Sequence, residues 1–215
     1  MLSQQIRCWD VSDPDVLRVL AEVPREQFVP PAYSSLAFAD TNIPLADDGG
    51  VRQGSQQTMM TPKLEGRLLQ ALQITEHDQA LEIGTGSGFL TACLARLALH
   101  VTSIDISADR VQSADEKLAR LGVTNCELIV QDVFKRTATQ EFDVIAVTGS
   151  LPEYDARFEK WLRIGGRLFI VVGHQATMEA RLVRRTGPEE WTRKALFETV
   201  VPPLLDENYR EEFYF

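Results

Sequence analysis

From residue 79 onward apolar and polar positions follow two clear periods, whereas before it they do not. Residues 80–83 form a short apolar run, and residues 87–98 then place Leu90, Leu94 and Leu97 on one helical face. Residues 100–104 predict a second strand. Ser107 opens a helix in which Val111, Ala114, Leu118 and Leu121 recur at helical spacing, and Gly122 closes it. Runs at 127–130, 142–147 and 167–172 predict three more strands, with a helix over 154–162 stopped at Gly165 and Gly166. This alternation predicts an α/β fold: a doubly wound, mostly parallel sheet with helices on both faces. The near-continuous apolar character of 144–147 and 168–172 suits central strands buried on both sides. Beyond Gly173, runs at 178–186 and 192–201 flank Gly187, Pro188, Glu189 and Glu190 and predict an antiparallel pair at the sheet edge. Arg181, Arg184 and Arg185 would equally suit a short helix there.

The first 78 residues differ in kind. Ser12, Asp13 and Pro14 cap a short helix through Val23, with proline in the first turn where its missing N–H costs nothing. Residues 24–57 are rich in breakers and poor in periodic apolar positions, which predicts an ordered but irregular segment. Thr61 and Pro62 open another helix with Leu64, Leu68, Leu69 and Leu72 as its stripe. The expected division is an N-terminal helical and irregular lid segment, 1–78, and a core with C-terminal edge strands and tail, 79–215.

Composition narrows the function classes. The chain has 215 residues, 44% hydrophobic and 25% charged, enough to bury a full core without metals or disulfides. Twenty-two Lys and Arg against 31 Asp and Glu give a net charge of −9, which argues against a nucleic-acid or anionic-membrane partner. Cys8, Cys93 and Cys126 are odd in number and form no Cys-x-x-Cys pair, so neither a disulfide framework nor a metal site is expected. With no signal-peptide pattern at the N-terminus and no long apolar run, a cytoplasmic location is expected.

The most informative segment is LEIGTGSG at residues 81–88, which follows a predicted strand and opens a helix. Its spacing is G-x-G-x-G. A dinucleotide fingerprint needs a third glycine where Phe89 stands, and no Walker lysine is present. Such a loop suits a ligand without phosphates, of which S-adenosylmethionine is the common one. Asp105 ends the second strand, where a carboxylate can accept both hydroxyls of an adenosine ribose, and Asp132 ends the third, near where an adenine amino group would lie. Either acid alone is more readily a helix cap. Glycine loop and both acids at the ends of consecutive strands together predict a class I, Rossmann-like S-adenosylmethionine-dependent methyltransferase fold.

Further motifs extend along nearly the whole chain. Val23 to Pro30 reads VPREQFVP, Ala37 to Asp40 is followed by Ile43, Pro44 and Leu45, and residues 142–148 read FDVIAVT. Residues 162–168 read LRIGGRL, and Val200, Val201 and Pro202 lie near the C-terminus. With the glycine loop, these segments resemble the protein-L-isoaspartate (D-aspartate) O-methyltransferase family. The resemblance implies a carboxyl O-methyltransferase that uses S-adenosylmethionine, releases S-adenosylhomocysteine and acts on protein or peptide substrates with an isoaspartyl carboxylate. It implies cofactor-binding roles for Glu82, Gly84, Thr85, Gly86 and Gly88 in the loop, Asp105 with Ile106, Asp132 with Val133, and Thr148.

Three features depart from the family pattern. The family's hydroxyl-bearing lid motif aligns with Gln57, Thr58, Met59, Met60, Thr61 and Pro62, so that Met60 stands where a serine is expected. The candidate catalytic positions are therefore Thr58, Met60 and Thr61, with Met60 read as packing against the cofactor's apolar surface. Gln131, Asp132 and Val133 replace a glycine-flanked acid, and an aromatic tail, residues 206–215, extends past the conserved end. Residues 148–151 read TGSL rather than the turn used for exocyclic amines, which argues against nucleobase methylation. Two alternatives stay open: a divergent member that methylates another acceptor, and a non-catalytic cofactor-binding protein.

Overall fold

The computed structural model describes residues 6–45, 57–137, 140–174 and 177–204. In chain order the main elements are α1 (Pro14–Glu22), β1 (Ile43–Pro44), β2 (Thr58–Met59), α2 (Pro62–Leu72), β3 (Gln79–Ile83), α3 (Phe89–Leu97), β4 (His100–Asp105), α4 (Ala108–Arg120) and β5 (Cys126–Val130). They continue with β6 (Phe142–Leu151), β7 (Leu162–Val172), β8 (Glu179–Gly187) and β9 (Glu190–Glu198). Seven strands form one sheet in the order β5-β4-β3-β6-β7-β8-β9, while β1 and β2 make a separate small hairpin. The first five strands of that sheet run parallel, and β8 and β9 add antiparallel at one edge. The expected edge hairpin forms, and the short-helix alternative does not. Ala180 and Leu182 point into the core and Arg181 between them is only half-buried, an alternation with the period of a strand.

Local chemistry explains the helix ends. Asp13 caps α1 by accepting from the N–H groups of Asp15 and Val16, with Pro14 in the first turn. α4 begins at the Ser107 cap and ends where Gly122 takes φ +67°, a left-handed conformation that glycine adopts without strain.

Expectation and structure differ over the second face of the sheet. α1, α2, α3 and α4 each contribute buried residues to one apolar cluster, with Ala80, Val101, Val144 and Phe169 of the strands. On the opposite face the expected helix over 154–162 is replaced by a single 3-10 turn, Glu159–Trp161, and Val133–Lys135 forms another. Phe158 and Trp161 meet edge to face at 5.4 Å, and their three-residue spacing is the one a 3-10 turn brings into line. Phe134 and Trp191 complete an aromatic cover, so large rings close this face where a helix would otherwise lie.

The N-terminal region packs on the helical face through Ile6, Val16, Val19, Leu20 and Phe28, all buried. The irregular stretch between α1 and α2 contains 3-10 turns at Arg25–Gln27 and Pro31–Leu36 and the β1-β2 hairpin. The aromatic tail falls outside the described residues. Among those described, no helix is long and apolar enough to cross a membrane, and no cluster of His, Cys, Asp and Glu could hold a metal ion.

One side chain ties α2 to the sheet. Arg167 on β7 donates to the carbonyls of Leu72 and Gln73 at 2.8 Å each, covering the end of α2, and to Asp78 Oδ2 at 2.6 Å. Arg167→Met would leave two helix-end carbonyls unmet and the Asp78 carboxylate without its cation. Urea denaturation is expected to show a loss of about 3 kcal/mol, the scale for breaking a largely buried ion pair by removing one partner.

Candidate functional site

β3 is the strand from which the chain leaves for β4 on one side, and β6 pairs with its other side. Open α/β sheets bind ligands at such a crossover, beyond the carboxyl ends of the strands. The last paired residues there are Ile83 and Val147, and the next on each strand are Gly84 and Thr148. Gly84 takes φ +97°, and a Cβ on it would lie 2.2 Å from Thr148 Oγ1. That hydroxyl is 2.9 Å from the carbonyls of both Ile83 and Gly84 and donates its proton between them. At the far end of the loop Gly88 takes φ +85° and lies against α4, where a Cβ would approach that of Ala114 to 2.9 Å. These two glycines let the loop turn tightly and α3 start close to the sheet.

Asp105, at the end of β4, braces the loop from the other side. Its Oδ2 accepts from the Gly86 N–H and its Oδ1 from the Ser107 N–H, both at 2.9 Å. Arg110 Nη1 stands 3.7 Å from Oδ1, beyond hydrogen-bond reach, and since a carboxylate oxygen has two acceptor sites each keeps capacity for a further donor.

Beneath the loop, Glu82 is fully buried. Its Oε2 accepts from Thr91 Oγ1 on α3 and from Ser103 Oγ on β4 at 2.6 Å. Because Ser103 spends its proton on Glu82, the 2.7 Å contact with Thr85 has the Thr85 hydroxyl as donor. Among the described residues Glu82 Oε1 has no hydrogen-bond partner. Burial pushes this carboxyl up to about 8, the two hydroxyl bonds only partly offset that, and the nearby acids Asp105 and Glu65 add to it.

These groups line a half-open cleft beyond the ends of β3, β4 and β6. Leu45, Gln57, Thr58, Met59 and Met60 form one wall. Pro202, Pro203 and Leu204 form another, held against the end of β6 by Ser150, whose N–H donates to the Pro202 carbonyl and whose carbonyl accepts from the Leu204 N–H. The two walls meet where Gln57 Nε2 donates to the Pro203 carbonyl at 3.3 Å. Thr58 Oγ1 is, with Glu82 Oε1, one of two buried side-chain polar atoms without a hydrogen-bond partner among the described residues, and both belong to cleft-lining residues. An unmet buried polar atom is costly, and two in one cleft mark it as built for a polar ligand.

Of the residues singled out from sequence, Thr58, Met60, Glu82, Gly84, Thr85, Gly86, Asp105, Ile106, Val133 and Thr148 all line this cleft. Three do not. Thr61 is the N-cap residue of α2, Gly88 packs on α4, and Asp132 caps a 3-10 turn by accepting from the Phe134 N–H, leaving its neighbours Gln131 and Val133 on the lining. Met60 is 9% exposed, its thioether filling the wall where a hydroxyl was expected. Glu65, Ser103 and Thr91 were not anticipated, because they read in sequence as ordinary helix and strand residues. The 202–204 wall was signalled only by its motif.

Known proteins match the chain along its length. A family model described as protein-L-isoaspartate(D-aspartate) O-methyltransferase matches residues 1–208. The protein-L-isoaspartate O-methyltransferase of Magnetococcus marinus is 34% identical over 92% of this chain and 84% of its own length. Its counterpart in Methanoculleus marisnigri is 35% identical over 88% and 84%. Among solved structures, a candidate protein-L-isoaspartate O-methyltransferase from Plasmodium falciparum, in complex with S-adenosyl-L-homocysteine, superposes with a TM-score of 0.78. It covers 95% of this chain and 96% of its own and, at 20% identity, shows a shared fold.

The raised Glu82 pKa makes stability depend on pH. Folding lifts the group from its ordinary 4.5 to about 8, so between those values the folded form holds a proton that the unfolded chain releases. The contribution to stability is therefore full below about pH 4.5 and is lost as pH rises towards 8. Urea midpoints compared between wild type and Glu82→Gln from pH 5 to 9 are expected to move in the variant's favour as pH rises. A pH-independent difference would place Glu82 in a wetter setting than the structure gives it.

Proposed function

The chain belongs to the protein-L-isoaspartate(D-aspartate) O-methyltransferase family and is an S-adenosylmethionine-dependent methyltransferase; from that premise we propose that it esterifies isoaspartyl carboxylates of proteins and peptides. The observation that carries this reading is the pairing, in one cleft, of an unmet buried carboxylate oxygen on the sheet and an unmet buried hydroxyl on the hairpin wall.

The residues suit the cofactor. Glu82 holds its proton near pH 7 when no cation is beside it, and a cationic amino acid moiety brought to Oε1 would favour its ionised, accepting form, while the remaining acceptor sites of Asp105 suit vicinal ribose hydroxyls. Ile106 and Val133 supply apolar surface beside Asp105 for a flat base. The glycine loop offers backbone and little bulk, and no basic residue in it calls for a phosphate. When bound, S-adenosylmethionine supplies an electrophilic methyl group on a sulfonium.

The protein's own contribution is placement. A carboxylate acceptor is already ionised near pH 7, so no general base has to be found among the cleft residues. Leu45, Met59 and Met60 make a dry wall that keeps solvent from the acceptor, and Thr58 Oγ1 offers a hydrogen bond to one carboxylate oxygen to fix its approach. Thr61, as the cap residue of α2, acts only through the backbone that carries this wall. We assign the reaction to the cytoplasm, a setting that suits three free thiols. A second reading, transfer to a different acceptor, is favoured by one feature, the thioether of Met60 where the family presents a hydroxyl.

Calorimetry is expected to show binding of S-adenosylmethionine and S-adenosylhomocysteine but not of NAD or ATP. Asp105→Ala should weaken that binding by about 1–3 kcal/mol, since it removes a charge-assisted acceptor and unpins the Gly86 N–H. Transfer of labelled methyl to matched isoaspartyl and aspartyl peptides tests the acceptor. Isoaspartyl esterification is expected to be slow in the wild type and faster in Met60→Ser, by up to about a hundred-fold if a full hydrogen bond to the reacting group is restored. Brisk wild-type turnover would show that Thr58 alone suffices. No turnover in either protein, with cofactor binding intact, would move the assignment to another acceptor.

A further inference from the structure

Among the described residues β2, two residues long, pairs with Ile43 and Pro44, which has no N–H to give, and the Leu45 N–H adds one bond to the Gln57 carbonyl. A two-stranded ribbon this short does not hold itself in place. Yet it carries Thr58, Met59 and Met60, which form the wall opposite the glycine loop. What anchors it is Arg25, which is 1% exposed. Its Nη2 donates to the Met60 carbonyl at 2.7 Å and its Nε to the Ala37 carbonyl at 2.8 Å, while Nη1 pairs with the buried Glu65 carboxylate at the start of α2. The guanidinium also lies over the ring of Phe89, 4.7 Å from its centroid, and Phe89 is the first residue of α3 after the glycine loop. One planar group thus joins the irregular stretch at Ala37, the β2–α2 junction at Met60 and Glu65, and the start of α3.

We propose that Arg25 is a positioning residue for methyl transfer: by fixing the Met60 carbonyl it sets the height of the 58–60 wall over the cleft and aims Thr58 Oγ1 into it. This rests on the function proposed above, but the wall's order is measurable without turnover. A simpler role, a core ion pair with Glu65, would require only the charges. A positioning role requires the fork geometry, because two carbonyls from different segments are held by two separate nitrogens of one rigid plane.

Two variants separate these roles. Arg25→Lys keeps a cation for Glu65 but cannot hold both carbonyls. Arg25→Met with Glu65→Leu removes both charges together, the change by which buried ion pairs are commonly replaced without loss of stability. In both folded variants amide exchange of residues 58–61 is expected to quicken by about ten-fold or more, while that of β3 and β6 is unchanged. For Arg25→Lys, S-adenosylhomocysteine affinity should stay within about three-fold of wild type, because the loop and Asp105 are untouched, and the KM for an isoaspartyl peptide should rise more than kcat falls. Wild-type exchange at 58–61 in either folded variant overturns the proposal, as does an Arg25→Lys protein that fails to fold, which would assign Arg25 to the core alone. If the wild type does not methylate isoaspartyl peptides, the function reading fails, and the exchange result still decides the role of Arg25.

Discussion

The close approach of Gly84 to Thr148 is the constraint on which the rest of the cleft depends. Where β3 and β6 stop pairing, a single threonine hydroxyl lies 2.9 Å from the carbonyls of both Ile83 and Gly84. That contact leaves no room for a side chain on Gly84, and it fixes the direction in which the loop departs for α3. The next residue on β6 repeats the demand. A Cβ on Gly149 would lie 2.7 Å from the Leu204 nitrogen, so the C-terminal wall can lie against β6 only because that side chain is missing. Two adjacent positions on one strand therefore hold the loop on one side and a wall on the other.

Two acids lie buried under this frame and are handled differently. Glu65 is matched by a cation, with the Arg25 fork spending its other donors on backbone carbonyls. Glu82 is matched only by hydroxyls, on one oxygen, and its other oxygen is left without a partner. Burial without a cation raises the cost of ionising Glu82, and a protein tolerates such a group where something else is to meet it. The contrast separates a carboxylate that serves the scaffold from one that serves the cleft, although both sit on the same face of the sheet.

Much of this was legible in the sequence because the core obeys local rules. The strand runs, the α4 repeat ending at Gly122 and the G-x-G-x-G loop are each set by neighbours a few residues away. The second face was misread because Phe158 and Trp161 recur at a spacing that a helix and a 3-10 turn share, and tertiary packing of the rings decided between them. Asp132 and Asp105 look alike in sequence, each an acid at a strand end. Both accept from the backbone amide two residues on, and that Asp105 also braces the loop depends on where the Gly86 N–H points, a property of the folded chain. Arg25 was visible only inside a motif; that its partners would be Ala37, Met60 and Glu65 follows from how irregular segments fold together, and no periodicity carries that information.

The cleft also draws on both ends of the chain. Its hairpin wall precedes residue 61, its floor comes from residues 82–148, and its last wall is residues 202–204, joined to the first through Gln57. During synthesis from the N-terminus the parallel strands can pair while that closing wall is still inside the ribosome. A nascent chain can thus pair its parallel strands, which end at Val172, before residues 202–204 emerge to enclose the glycine loop.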